Sequence, residues 1–140
     1  MSRDLDFVLD YHMFDPKPSD APIRQLGFVR ENSMYRHPTC PFTLEFLSAP
    51  LAVGNDVITT WDTLKEGDLA LHIINPTDCV RDRLSGFIYY SDFSSLRQAV
   101  DVALIQAVDF SIIEKWCRSE NALTAYEEFL VELKRAGTES

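Results

Sequence analysis

The rhythm of hydrophobic and polar positions changes part-way along the chain. Up to about residue 75 apolar residues alternate with polar ones or gather in short runs between turn formers, and from Pro76 onward they recur every three to four residues with scarcely a break. At the start, Leu5, Phe7 and Leu9 alternate with Asp4, Asp6, Val8 and Asp10, a period of two that predicts a strand with one apolar face. Pro16, Pro18 and Pro22 then break the pattern, and Ser19-Asp20 offers a cap for a short helix ending at Gly27. Residues 28–36 and 42–47 are rich in strand formers and predict two strands joined across His37-Pro38-Thr39-Cys40-Pro41, a turn longer than two residues. Residues 57–61 and 69–74 flank Lys65-Glu66-Gly67-Asp68 and predict a second hairpin, for four or five strands in all. The apolar loop 49–54 predicts a connection that packs down rather than running free in water.

Beyond Pro76-Thr77-Asp78, with Thr77 as candidate cap, Val80, Leu84, Phe87 and Ile88 mark one face of an amphipathic helix. Ser91 or Asp92 offers the start of the next, faced by Phe93, Leu96, Val100, Ala103 and Ala107, and Asp109 and Asn121 offer two more starts. Phe110, Ile113 and Trp116 line one of these helices and Leu123, Tyr126, Leu130 and Leu133 the last, leaving 137–140 as a tail. Strands first and helices afterwards predict an α+β fold: a small mixed sheet followed by a helical C-terminal half, within one domain over 1–140 whose strand part ends at residue 75.

Composition narrows the setting more than the chemistry. A chain of 140 residues has room for one domain with a real core. No apolar run approaches the ~20 residues of a membrane-spanning helix, and the start lacks a basic flank with an apolar stretch. The expected compartment is the cytoplasm. Three widely spaced cysteines, Cys40, Cys79 and Cys117, predict reduced thiols rather than a disulfide framework. A net charge of -9 argues against a nucleic-acid partner unless a metal screens the contact, and it also serves solubility alone.

The chemistry concentrates in Arg3-Asp4-Leu5-Asp6-Phe7-Val8. Carboxylates at i and i+2 on a strand leave the same face about 6.6 to 6.8 Å apart. They can share a hard divalent cation such as Mg2+, with a third acid permitting a second ion. Glu45, opposite in face to Phe42, Leu44 and Phe46, is the natural third, because a carboxylate set mid-strand among apolar residues is costly without a partner. The same spacing also describes three acids that point into water, and Asp10 continues their face where the chain leaves the strand. Arg81-Asp82-Arg83 reads either as a phosphate contact or as a solvated helix face with Asp82 locally paired, and Tyr89, Tyr90 and Asp92 as a polar junction between helices. His37 with Cys40 lacks the second ligand pair of a zinc site, and Cys117 beside Trp116 reads as a buried, inert thiol.

The strand Asp4-Leu5-Asp6-Phe7-Val8 with the later Leu44-Glu45-Phe46 resembles the acidic half of the nucleotidyltransferase superfamily signature. Together with loop 49–54, the segment Asn75-Pro76-Thr77-Asp78-Cys79-Val80-Arg81-Asp82-Arg83-Leu84 and the closing helices, most of the chain is similar to small bacterial nucleotidyltransferase-like proteins. Some of these are relatives of abortive-infection and toxin–antitoxin enzymes. The resemblance implies that Asp4, Asp6 and Glu45 hold Mg2+ and are the catalytic acids, with a nucleoside triphosphate as substrate, a protein or RNA acceptor, and Arg81 and Arg83 against the phosphates. It also implies an upstream Gly-Ser turn that grips the triphosphate, which these residues do not include. That departure leaves three readings open: a natural chain that starts further upstream, a shortened, non-catalytic interaction protein such as one component of a toxin–antitoxin pair, or a missing piece supplied by a partner. An uncovered sheet surface then predicts a homo-oligomer.

Overall fold

The computed structural model describes residues 4–9 and 19–138, which form two compact units divided between Leu51 and Ala52. Arg3, Asp10, Pro16, Pro18 and Ser140 lie outside the described residues. The fold is mixed α+β, with a small mixed sheet first and a helical C-terminal half.

In the first unit β1 (Asp4–Leu9) is followed by α1 (Ala21–Gln25), β2 (Val29–Glu31), β3 (Met34–Arg36) and β4 (Thr43–Ser48). The sheet order is β1-β4-β3-β2, with β1 parallel to β4 and the other pairs antiparallel. Residues 28–36, expected as one strand, are a tight hairpin, because Asn32 takes a left-handed φ of 57° and turns the chain between β2 and β3. Helix α1 sits where Ser19-Asp20 and Gly27 predict it. Asp20, however, accepts from Arg24 Nε (2.9 Å) and from the Tyr35 hydroxyl (3.0 Å) rather than capping, and those two bonds hold its carboxyl below the usual range. The alternation of β1 is realised in three dimensions. Phe7 stacks on Phe46 at 5.3 Å and Tyr35 meets Phe46 edge-on at 5.6 Å, around the buried Leu44.

The second unit opens with two hairpins, β5 (Ala52–Val53) with β6 (Asp56–Val57) and β7 (Asp62–Glu66) with β8 (Leu69–Ile73). Each turns on a glycine at φ 58°, Gly54 and Gly67, the first turn position where a side chain is disfavoured. The apolar loop packs down through Val53, which is fully buried. Helices α2 (Pro76–Tyr90), α3 (Phe93–Ile105), α4 (Phe110–Ser119) and α5 (Leu123–Thr138) follow, so the expected tail is helical as far as Thr138. Phe129, Leu84 and Ile113 are fully buried among Val80, Leu96, Val100, Trp116 and Cys117. Burial of each such side chain is worth about 1.5–3 kcal/mol.

Two helix starts differ from expectation, and a third is decided between its two candidates. Asn75, not Thr77, caps α2, its side chain accepting from Asp78 N–H at 2.9 Å. Pro76 at the first helical position forces the preceding residue into extended backbone, which suits a cap residue and leaves Thr77 inside the helix. Of the Ser91-Asp92 pair, Asp92 caps α3 while Ser91, at φ 53°, closes α2. Asn121 starts nothing: at φ 55° it takes the left-handed position just past α4, a role asparagine fills next best to glycine.

Candidate functional site

In the first unit the register of β1 on β4 sets Asp6 directly beside Glu45 and Asp4 beside Thr43. Side chains alternate across a sheet, so Asp4, Asp6, Thr43 and Glu45 share the face opposite Leu5, Phe7, Leu44 and Phe46. Neighbouring strands lie about 4.8 Å apart, which brings two carboxylates to adjacent positions. Asp4 and Asp6 are exposed and Glu45 is half-buried, with Met34 of β3 on its other side. The Thr43 hydroxyl donates to Asp4 Oδ1. All three sequence-selected acids therefore meet on one face, although their parent strands are separated by α1 and a hairpin.

The donor chemistry fits a hard cation: carboxylate oxygens suit Mg2+, which needs only one or two of them together with substrate phosphates. Among the described residues no group of three or more acidic, histidine or cysteine side chains stands in metal-holding array. The cross-strand pair Asp6 and Glu45 is thus the centre of the set, with Asp4 engaged by Thr43 at its rim.

In the second unit Arg81 is buried. Its Nη1 donates to Asp78 at 2.6 Å, its Nη2 to Asp56 at 2.5 Å, and its guanidinium lies over the Trp116 ring at 5.4 Å, while Nε makes no hydrogen bond. Asn75 Nδ2 completes the shell of Asp78 at 2.7 Å. Asp56, Asn75, Asp78 and Arg81 line an open cleft of about 530 Å³, together with Thr59, Thr60, Thr77 and Ile112. A phosphate entering it would compete with two carboxylates for the Arg81 guanidinium. Arg83, one position beyond Asp82, is half-exposed and reaches Asp82 at 3.4 Å and Gln98 at 3.3 Å.

The polar junction involves Tyr89 but not Tyr90. Tyr89 OH donates to Glu120, which also accepts from Asn55 N–H at 3.1 Å and so clamps the β5–β6 turn to the helices. Glu120's carboxyl is held below its usual range by Tyr89 and then by Asn55. Tyr90 is exposed, and Asp92 is occupied with Ser94 and Ser95 at the start of α3. His37 Nδ1 accepts from the Thr39 and Cys40 amides at 3.1 Å each, a turn-forming role. Cys117 is fully buried, and burial pushes its thiol up to about 11.

Sequence reasoning missed Asp56, Asp78 and Glu120. Asp78 stands three residues before Arg81, a helix-neighbour spacing that signals an ion pair, whereas Asp56 and Glu120 lie 25 and 65 residues from Arg81 and Asn55 with no local signal. Comparison with protein-family models, with curated proteins and with solved structures returned no match.

Proposed function

We propose that the chain is a cytoplasmic, nucleotidyltransferase-like protein that transfers a nucleotidyl group from a nucleoside triphosphate to a protein or RNA acceptor. The observation that supports this reading is the pairing of Asp6 with Glu45 on adjacent parallel strands, with Asp4 two residues earlier on the same face. Asp6 and Glu45, with Asp4, would hold Mg2+, which supplies charge neutralisation for the phosphates as they are transferred. Glu45, the least exposed of the three, sits best to accept the proton of an attacking hydroxyl. Of the two arginines that the resemblance sets against phosphates, Arg83 is half-exposed and Arg81 is buried.

The alternative, a non-catalytic interaction protein such as one side of a toxin–antitoxin pair, draws its support from Arg81, whose terminal nitrogens are both committed to carboxylates. Calorimetric titration with Mg2+ and ATP, run beside Asp6→Asn, separates the two. Heat present in the parent and lost in the variant is the expected result; no heat in either protein refutes the enzyme reading.

A further inference from the structure

Hairpin β7–β8 carries an apolar face that nothing else among the described residues extends into a larger sheet. In register, Asp62 opposes Ile73, Leu64 opposes Leu71 and Glu66 opposes Leu69 on one face. Leu69, Leu71 and Ile73 are 74%, 48% and 43% exposed. Two-stranded hairpins are marginal in water unless further strands or a packed layer are added.

The two edges differ. The turn Gly67-Asp68 makes Glu66–Leu69 the closing hydrogen-bonded pair, and pairs alternate along an antiparallel ladder. Ala70 and His72 therefore turn their N–H and C=O groups outward on β8, and Thr63 and Lys65 do so on β7. Natural edges are guarded by charge or proline. Strand β7 carries Asp62, Lys65 and Glu66, whereas Leu69-Ala70-Leu71-His72-Ile73 carries no Asp, Glu, Lys or Arg.

We infer that β8 is a homodimer edge, pairing antiparallel with β8 of a second copy about a two-fold axis at Leu71. In this register Ala70 and His72 of each copy exchange both backbone bonds with His72 and Ala70 of the other, giving four hydrogen bonds. Leu71 faces its own counterpart, and Leu69 faces Ile73 of the second copy, on the side that already carries Leu64. The product is a four-stranded sheet whose face is apolar at its centre, where Leu69, Leu71 and Ile73 of both copies meet beside Leu64, with Asp62 and Glu66 confined to the outer strands. Charge selects the edge and the occupant. A chain of net charge -9 repels its copies in general, yet β8 pairing sets no like charges opposite each other. Self-pairing of β7 about Leu64 would set Asp62 against Glu66 of the other copy, a destabilising arrangement. The inference does not depend on the nucleotidyltransferase reading.

Sedimentation equilibrium of the full chain tests it, with Leu71→Lys and Ala70→Pro as variants. The parent is expected to dimerise. Leu71→Lys, which removes two facing leucines and opposes two ammonium groups, is expected to weaken the dimer by at least about tenfold, and Ala70→Pro, which deletes an outward N–H, to weaken it likewise. An unchanged helical circular dichroism signal in both variants establishes that they fold. Register is read by oxidative cross-linking in the otherwise unaltered chain. Leu71→Cys should form a covalent dimer alone, while Leu69→Cys and Ile73→Cys should cross-link efficiently only when mixed. A parent that stays monomeric at every accessible concentration, a dimer indifferent to both variants, or cross-linking without register preference overturns the inference.

Discussion

Removal of the Arg81 side chain should be among the most destabilising single changes in the second unit. The side chains of Arg81 and Asp78 are 8% and 9% exposed, and the pair closes at 2.6 Å. In Arg81→Leu the Asp78 carboxylate keeps the bond from Asn75 Nδ2 but loses its cation in a nearly dry site, and the packing against Trp116 is lost. Stranding one member of a buried pair costs about 3–5 kcal/mol. Asp56 is 54% exposed, so its bond to Arg81 is screened by solvent and Asp56→Ala should cost less than about 1 kcal/mol. The double variant Arg81→Leu/Asp78→Leu removes both charges and should recover much of the loss, since apolar replacement of a whole buried pair is often neutral. Urea unfolding followed by circular dichroism measures the parent, Arg81→Leu, Asp78→Leu, Asp56→Ala and the double variant. The reasoning fails if Arg81→Leu costs no more than Asp56→Ala, or if the double variant is worse than the sum of its singles.

Gly86→Ala should destabilise by about 1–3 kcal/mol through overpacking, despite alanine's higher helix propensity. The added Cβ would stand 2.7 Å from Ser95 Oγ and 3.1 Å from Ser95 Cβ where α2 crosses α3, and thermal melting of Gly86→Ala with and without Ser95→Ala reads the clash. Asp109 caps α4 by accepting from the Ser111 and Ile112 amides, and its carboxyl is lowered chiefly by the Ser111 hydroxyl, then by Ile112 N–H. Its stabilisation is thus present above the ordinary carboxylate range and lost as pH falls through the lowered value, so the acid limb of a stability–pH curve should flatten in Asp109→Ala. Cys117 behaves oppositely: with its thiol raised to about 11, stability present at neutral pH should decline from the ordinary thiol range up to that value. Native-state alkylation of Cys117 should accordingly be slow and become fast on unfolding, as read by mass spectrometry of the labelled peptide.

Local chemistry made much of the chain legible. The two-residue period of Asp4-Leu5-Asp6-Phe7 fixes which side chains share a face whatever lies beside the strand, and that is why the acids could be chosen before any fold was known. Asp92 and Asp109 were readable as helix starts because a short carboxylate reaches amides only two or three residues away, a contact that lies wholly within the local chain. The same locality explains the errors. Thr77 and Asn75 are equivalent as cap chemistry until the extended backbone imposed by Pro76 is considered, and residues 28–36 look like one strand unless Asn32 is allowed its left-handed turn.

What the sequence by itself determined, then, was the kind of element at each stretch, the faces of its strands and helices, and the acids worth watching. Only the tertiary structure decided which elements meet. The parallel pairing of β1 with β4 that sets Asp6 beside Glu45, the reach of Asp56 to Arg81 and the clamp of Glu120 on the Gly54-Asn55 turn all join residues far apart along the chain. Such contacts depend on the closure of long loops, whose entropic cost varies only slowly with length, so spacing carries almost no information about which distant partner is chosen. Burial and register make that choice together. Arg81, legible in the sequence only as one charge of a basic cluster, became the buried centre of a carboxylate clamp because α2 turns that side chain onto Trp116 rather than toward water.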